Sequence, residues 1–118
     1  MTVHEKLDMI LENSSKISQM TTLKNGNTDK TTKVTLCSYT FTTKPNRLTI
    51  LNWHTGGNIG YLSYKINSNN ERNLGGQSGT DVKALFIEDI INTNDTITLY
   101  GYVNNIAGSF MVQLVDFK

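Results

Sequence analysis

The rhythm of the chain changes near Gly26, and that change limits what the chain can fold into. Up to Leu23 the apolar residues recur at helical spacing. Beyond Gly26 almost everything reads as short strands separated by turns rich in Asn, Gly and Thr. The expected fold is mainly β: a small antiparallel β-sandwich, jelly-roll-like in its strand spacing, preceded by one N-terminal amphipathic α-helix. Residues 1–24 would form the helix as a stalk or anchor, residues 25–32 a linker, and residues 33–118 the β-sandwich head domain.

The helix has a physical start. Thr2-Val-His-Glu5 is a capping box, in which the Thr2 hydroxyl and the Glu5 carboxylate each satisfy an amide of the first turn. Val3, Leu7, Ile10, Leu11, Ile17 and Met20 then share one stripe. Two surfaces could cover that stripe: the chain's own β-domain, or the same stripe on sister subunits. Ser14 and Thr21 interrupt a strict coiled-coil seam. Asn25-Gly26-Asn27 is expected to stop the helix, since Gly serves the left-handed position after a helix end.

Six strands are expected, at about 33–42, 47–54, 59–67, 81–91, 95–104 and 108–117, with residues 67–80 as the longest irregular segment. Ile97, Leu99, Gly101 and Val103 should face inward, opposite Thr96, Thr98, Tyr100 and Tyr102. Phe110, Val112 and Leu114 should do the same against Gln113. Val82, Ala84, Phe86 and Ile90 are expected on one buried face, opposite Lys83 and Asp89. Leu85, Ile87, Tyr100, Tyr102, Met111 and Val115 would then lie outside the core. A second apolar face of this kind suggests a subunit contact and a homo-oligomer.

Composition excludes several function classes. A length of 118 residues is one domain. The net charge is +1 with no basic run, so no nucleic-acid footprint is present. No stretch approaches the roughly 18 apolar residues of a membrane span, and no signal-peptide pattern opens the chain. Synthesis in a bacterial cytoplasm fits these features. Cys37 stands alone and reads as a small buried hydrophobe.

Catalytic chemistry finds little support. The two histidines are His4, in the helix, and His54, at a strand end. Neither has a nucleophile-elbow pattern nearby. Two histidines and one cysteine without short spacing give no metal site, and no cofactor motif is present. Adjacent Glu88 and Asp89 would point to opposite faces of a strand, unlike the facing carboxyls of a glycosidase. No catalytic residue is assigned.

The binding signal is aromatic. Trp53, Tyr61, Tyr64, Tyr100 and Tyr102 lie on expected strands among Asn, Gln and Ser. Rings beside amides and hydroxyls can hold a sugar by stacking and hydrogen bonding, although aromatics also fill strand cores, Trp53 above all. His54 joins this group by its position. Asn69 and Asn70, in the polar loop 67–80, form a second candidate for recognition.

The segment Asp95-Thr-Ile-Thr-Leu-Tyr-Gly-Tyr-Val-Asn-Asn105, with the last strand Ser109-Phe-Met-Val-Gln-Leu-Val-Asp-Phe117, resembles the end of complement- or tumour-necrosis-factor-like jelly rolls. Phage fibre and receptor-binding heads are similar. The opening Met-Thr-Val-His-Glu-Lys-Leu-Asp-Met-Ile-Leu-Glu-Asn resembles short N-terminal helices of phage virion proteins. The resemblance implies a trimeric phage or prophage virion protein of the fibre, decoration or receptor-binding type. It would be held to other virion proteins by its helix, with host-surface carbohydrate as its candidate ligand. A free, lectin-like carbohydrate-binding module is the alternative. Chain mass separates the two.

Overall fold

A computed structural model of the chain describes residues 20–55, 59–78, 81–105 and 108–118. These residues form eight strands: β1 (Met20–Thr28), β2 (Val34–Thr40), β3 (Leu48–His54), β4 (Ile59–Ile66), β5 (Arg72–Ser78), β6 (Lys83–Phe86), β7 (Thr96–Val103) and β8 (Phe110–Phe117). They build two four-stranded sheets, the first in the order β1-β8-β3-β6 and the second in the order β2-β7-β4-β5. Every strand pairing is antiparallel. The mainly β architecture is therefore as expected, and no helix occurs among the described residues. Val3, Leu7, Ile10, Leu11 and Ile17 of the expected helix lie outside the described residues.

The core follows from strand alternation. Successive side chains point to opposite faces of a sheet. Ile97, Leu99 and Val103 of β7 are fully buried, as are Phe110 and Leu114 of β8, with Val112 beside them. Ile50, Leu62 and Leu48 complete the layer between the sheets. Burying each such side chain contributes roughly 1.5–3 kcal/mol before the entropy of ordering it is subtracted. Gly60 is required for this packing: a Cβ there would fall into the Phe110 ring.

The expected helix end and linker need correction. Met20–Thr28 is the edge strand β1, paired along its length with β8. Met20 therefore lies on a strand, not on a helical stripe. Its polar sequence misleads because an edge strand buries little. A bulge between Thr22 and Lys24 turns Leu23 onto the core. Gly26 is not a helix stop. A Cβ there would stand 2.5 Å from the Leu36 carbonyl oxygen, so Gly allows β1 to pass close to β2. The segment after β1 is tied as well, with the Val103 amide donating to the Lys30 carbonyl at 2.9 Å.

Two further differences follow from pairing. Residues 72–78, expected as irregular, form β5, whose path bends at a bulge opposite Leu62 and Ser63. Gly75 adopts φ +79°, which suits that bend. The strand expected over 81–91 shortens to Lys83–Phe86, and its faces are reversed. Leu85 lies opposite Ile50, so Leu85 packs on the core, and Ile87 and Ile91 follow it inward. Val82, Phe86 and Ile90 are 62%, 54% and 78% exposed. A one-residue register shift moves a whole strand face in this way.

Candidate ligand-binding face

The outward face of the second sheet is built by alternation alone. With Ile97, Leu99 and Val103 inward, β7 presents Thr96, Thr98, Tyr100 and Tyr102 outward. β4 presents Tyr61 and Ser63, because Leu62 and Tyr64 are core. Register then sets Tyr61 opposite Tyr102 and Ser63 opposite Tyr100. The Tyr61 and Tyr102 rings stack, with centroids 4.7 Å apart and planes 16° from parallel. β2 extends the face with hydroxyls: Thr40 Oγ1 lies 2.7 Å from Thr96 Oγ1, and Ser38 Oγ 3.4 Å from Thr98 Oγ1.

Polar groups surround these rings. Lys33 Nζ donates to both Glu71 carboxylate oxygens, at 3.0 and 3.1 Å. The same ammonium lies 5.3 Å from the centroid of Tyr100. Ser63 Oγ donates to Glu71 Oε2 at 2.9 Å. The hydrogen bond from Lys33, and then that from Ser63, hold the Glu71 carboxyl below its ordinary range. Glu71 thus stays an acceptor to lower pH than a free glutamate. A hollow of about 180 Å³ opens here, lined by Lys33, Tyr61, Ser63, Glu71, Asn73 and Tyr102 among others. It is smaller than the roughly 300–1,000 Å³ of a drug-sized pocket. A groove of that size takes one small ring or one edge of a larger ligand.

The remaining expected site residues lie elsewhere. Tyr64 is core, 3% exposed, and its hydroxyl donates to Asp89 Oδ1 at 3.2 Å. Burial first, and then Asp89, push its phenol up to about 12. Arg72 reaches the same carboxylate at 3.4 Å. Trp53 is half-buried on the outward face of the first sheet, in register with Met111, and is not in the core. Two packed sheets stand about 10 Å apart, so Trp53 cannot join the tyrosines. Asn69 and Asn70 are exposed at the β4–β5 turn, about 16 Å along the strand from Tyr61.

His54 is sealed between the sheets at 3% exposure. Both of its ring nitrogens lack a hydrogen-bond partner, as does Oδ1 of Asn52, two residues earlier on the same face. Asn52 Nδ2 donates to the Lys83 carbonyl at 3.4 Å. No carboxylate orients His54, so it has no base-and-orienter geometry. Among the described residues, no three His, Cys, Asp or Glu side chains converge on a metal-sized site.

Lys33 and Ser63 are not among the expected site residues, whereas Glu71 and Asn73 fall in the segment 67–80, expected to carry recognition as a loop. Ser63 could be found from alternation with Tyr61 on β4. Glu71 and Asn73 become visible only once β5 is known to pair with β4. Comparison with protein-family models, curated proteins and solved structures returns no match.

Proposed function

We propose that this chain is a non-enzymatic attachment module that holds carbohydrate on the outward face of its second sheet. The observation that carries the reading is the stacked Tyr61–Tyr102 pair, bordered by Tyr100, Ser63, Asn73 and the Lys33–Glu71 pair. Aromatic faces offer stacking surface to the C–H bonds of a sugar ring, and the flanking hydroxyls, amide and ion pair offer donors and acceptors to its hydroxyls. The rings sit on strands of a rigid sandwich, so little conformational freedom is lost on binding. The setting we propose is a phage or prophage virion, in keeping with the sequence resemblance. Such shallow sites bind weakly one by one and gain from display in many copies.

The reading is tested by calorimetry of the full chain against a panel of oligosaccharides. A binding sugar should lose about tenfold in affinity, ~1.4 kcal/mol, in Tyr102→Ala, while Trp53→Ala binds as before. Absence of binding to any sugar, or equal binding by Tyr102→Ala, would count against it.

A further inference from the structure

The ion pair on the tyrosine face joins the two edges of the second sheet. Lys33 immediately precedes β2 and Glu71 immediately precedes β5, and β7 and β4 lie between these edge strands. Neighbouring strands stand about 4.8 Å apart, so the edges are separated by roughly 14 Å. Continuing each pairing by one residue sets Lys33 in the row of Tyr102 and Tyr61, and Glu71 beside Lys65. The two side chains reach diagonally over the row between, Tyr100 and Ser63, and meet there at 3.0 Å. The Tyr100 ring lies near the ammonium and the Ser63 hydroxyl donates to the carboxylate, so both ends of the pair are held in place. An exposed pair of this kind contributes little to stability, yet it fixes a charged donor beside a charged acceptor at the edge of the hollow.

The pair keeps spare hydrogen-bonding capacity. A carboxylate offers roughly four acceptor sites and an ammonium three donors. Lys33 and Ser63 occupy three of the acceptor sites of Glu71, which leaves one on Oε1. The two contacts to Glu71 leave Lys33 one donor. Both side chains are open to solvent, 51% and 30% exposed, so these groups can be reached by a ligand. Adjacent hydroxyls of a sugar ring are spaced about one hydrogen-bond length apart, as the Lys33 and Glu71 atoms are. One hydroxyl can donate to Glu71 Oε1 while its neighbour accepts from Lys33 Nζ. A ligand carboxylate has no such place: to pair with Lys33 it must displace Glu71, which leaves one anion unpaired.

We infer that the Lys33–Glu71 pair reads two adjacent hydroxyls of an uncharged sugar edge, and so sets which carbohydrates the tyrosine hollow accepts. The inference rests on the carbohydrate reading of this face and adds to it a ligand class and the two residues that select it.

The test titrates the full chain with methyl glycosides of glucose, galactose and mannose, their monodeoxy analogues and a methyl sialoside, followed by nuclear magnetic resonance shifts of Tyr61 and Tyr102. For a neutral glycoside that binds, loss of either of two adjacent hydroxyls should weaken binding about tenfold, as expected for hydrogen bonds to charged groups. Loss of the other hydroxyls should matter little. Glu71→Gln and Lys33→Met, checked for an unchanged melting temperature, should each weaken the parent glycoside about tenfold. In both variants the two sensitive deoxy analogues should bind as the parent glycoside does, since the contact they lack is already gone. Binding that Tyr102→Ala weakens but that no deoxy position and neither pair variant alters overturns the inference and leaves the carbohydrate reading standing. Preference for the sialoside, strengthened in Glu71→Gln, also overturns it, because Lys33 then seeks a carboxylate. Absence of binding by every sugar ends both.

Discussion

The ring of Tyr61 lies on the ring of Tyr102, 4.7 Å between centroids, across the β4–β7 pairing that sets both on the outward face. The pair is a surface feature. Tyr102→Ala or Tyr61→Ala removes a cross-strand contact worth roughly 0.2–1 kcal/mol, so each variant should stay folded. A melting temperature close to that of the parent chain checks this. Loss of the cooperative transition would show that the tyrosines hold the sandwich together instead.

Gly60 carries the opposite expectation. The ring of Phe110 occupies the space a Cβ would take. Gly60→Ala must push a fully buried side chain aside, and overpacking of this kind costs roughly 1–3 kcal/mol. Urea denaturation should show an earlier midpoint with an unchanged slope. Unchanged stability would mean that Phe110 repacks freely.

His54 and Asn52 are buried polar residues with unpartnered atoms. Such atoms lose their hydration without a protein bond in exchange. His54→Leu should therefore leave stability unchanged or raise it by roughly 1 kcal/mol, seen as an equal or higher melting temperature. A clear drop would reveal that the imidazole has a partner after all.

Tyr64 gives a pH signature. Its phenol stands at about 12 in the folded chain, against an ordinary 10.0, through burial and then Asp89. A raised folded value contributes stability that is complete below the unfolded value and is lost as pH rises through the folded one. The window is therefore pH 10 to 12. Tyr64→Phe should flatten the loss of stability across that range. An identical alkaline limb in the variant would remove Tyr64 as its source.

Sequence reading succeeded where alternation met a central strand. β7 and β8 are each flanked on both sides, so their inward residues from Ile97 to Leu114 stand out by period. It failed at the edges. β1 and β5 each pair on one side only and carry Lys24, Asn25, Asn27, Asn73, Gly75 and Gly76, residues poor in strand propensity. In β6 both alternate sets, Val82-Ala84-Phe86 and Leu85-Ile87, are apolar, so period alone does not fix the phase, and pairing of Leu85 with Ile50 turns the second set inward. Of the expected site, Tyr61, Tyr100 and Tyr102 come together because register brings β4 beside β7. Trp53, His54 and Tyr64 share their residue chemistry but lie on another face or inside the core, and only three-dimensional pairing separates them.

The most direct test of the binding face is nuclear magnetic resonance of the full chain during titration with a sugar that binds. Shift changes should gather at Tyr61, Ser63, Glu71, Asn73, Tyr100 and Tyr102, and leave Trp53 and Met111 unmoved. Changes centred on Trp53 and Met111, with the tyrosine face silent, would contradict a carbohydrate site on the second sheet.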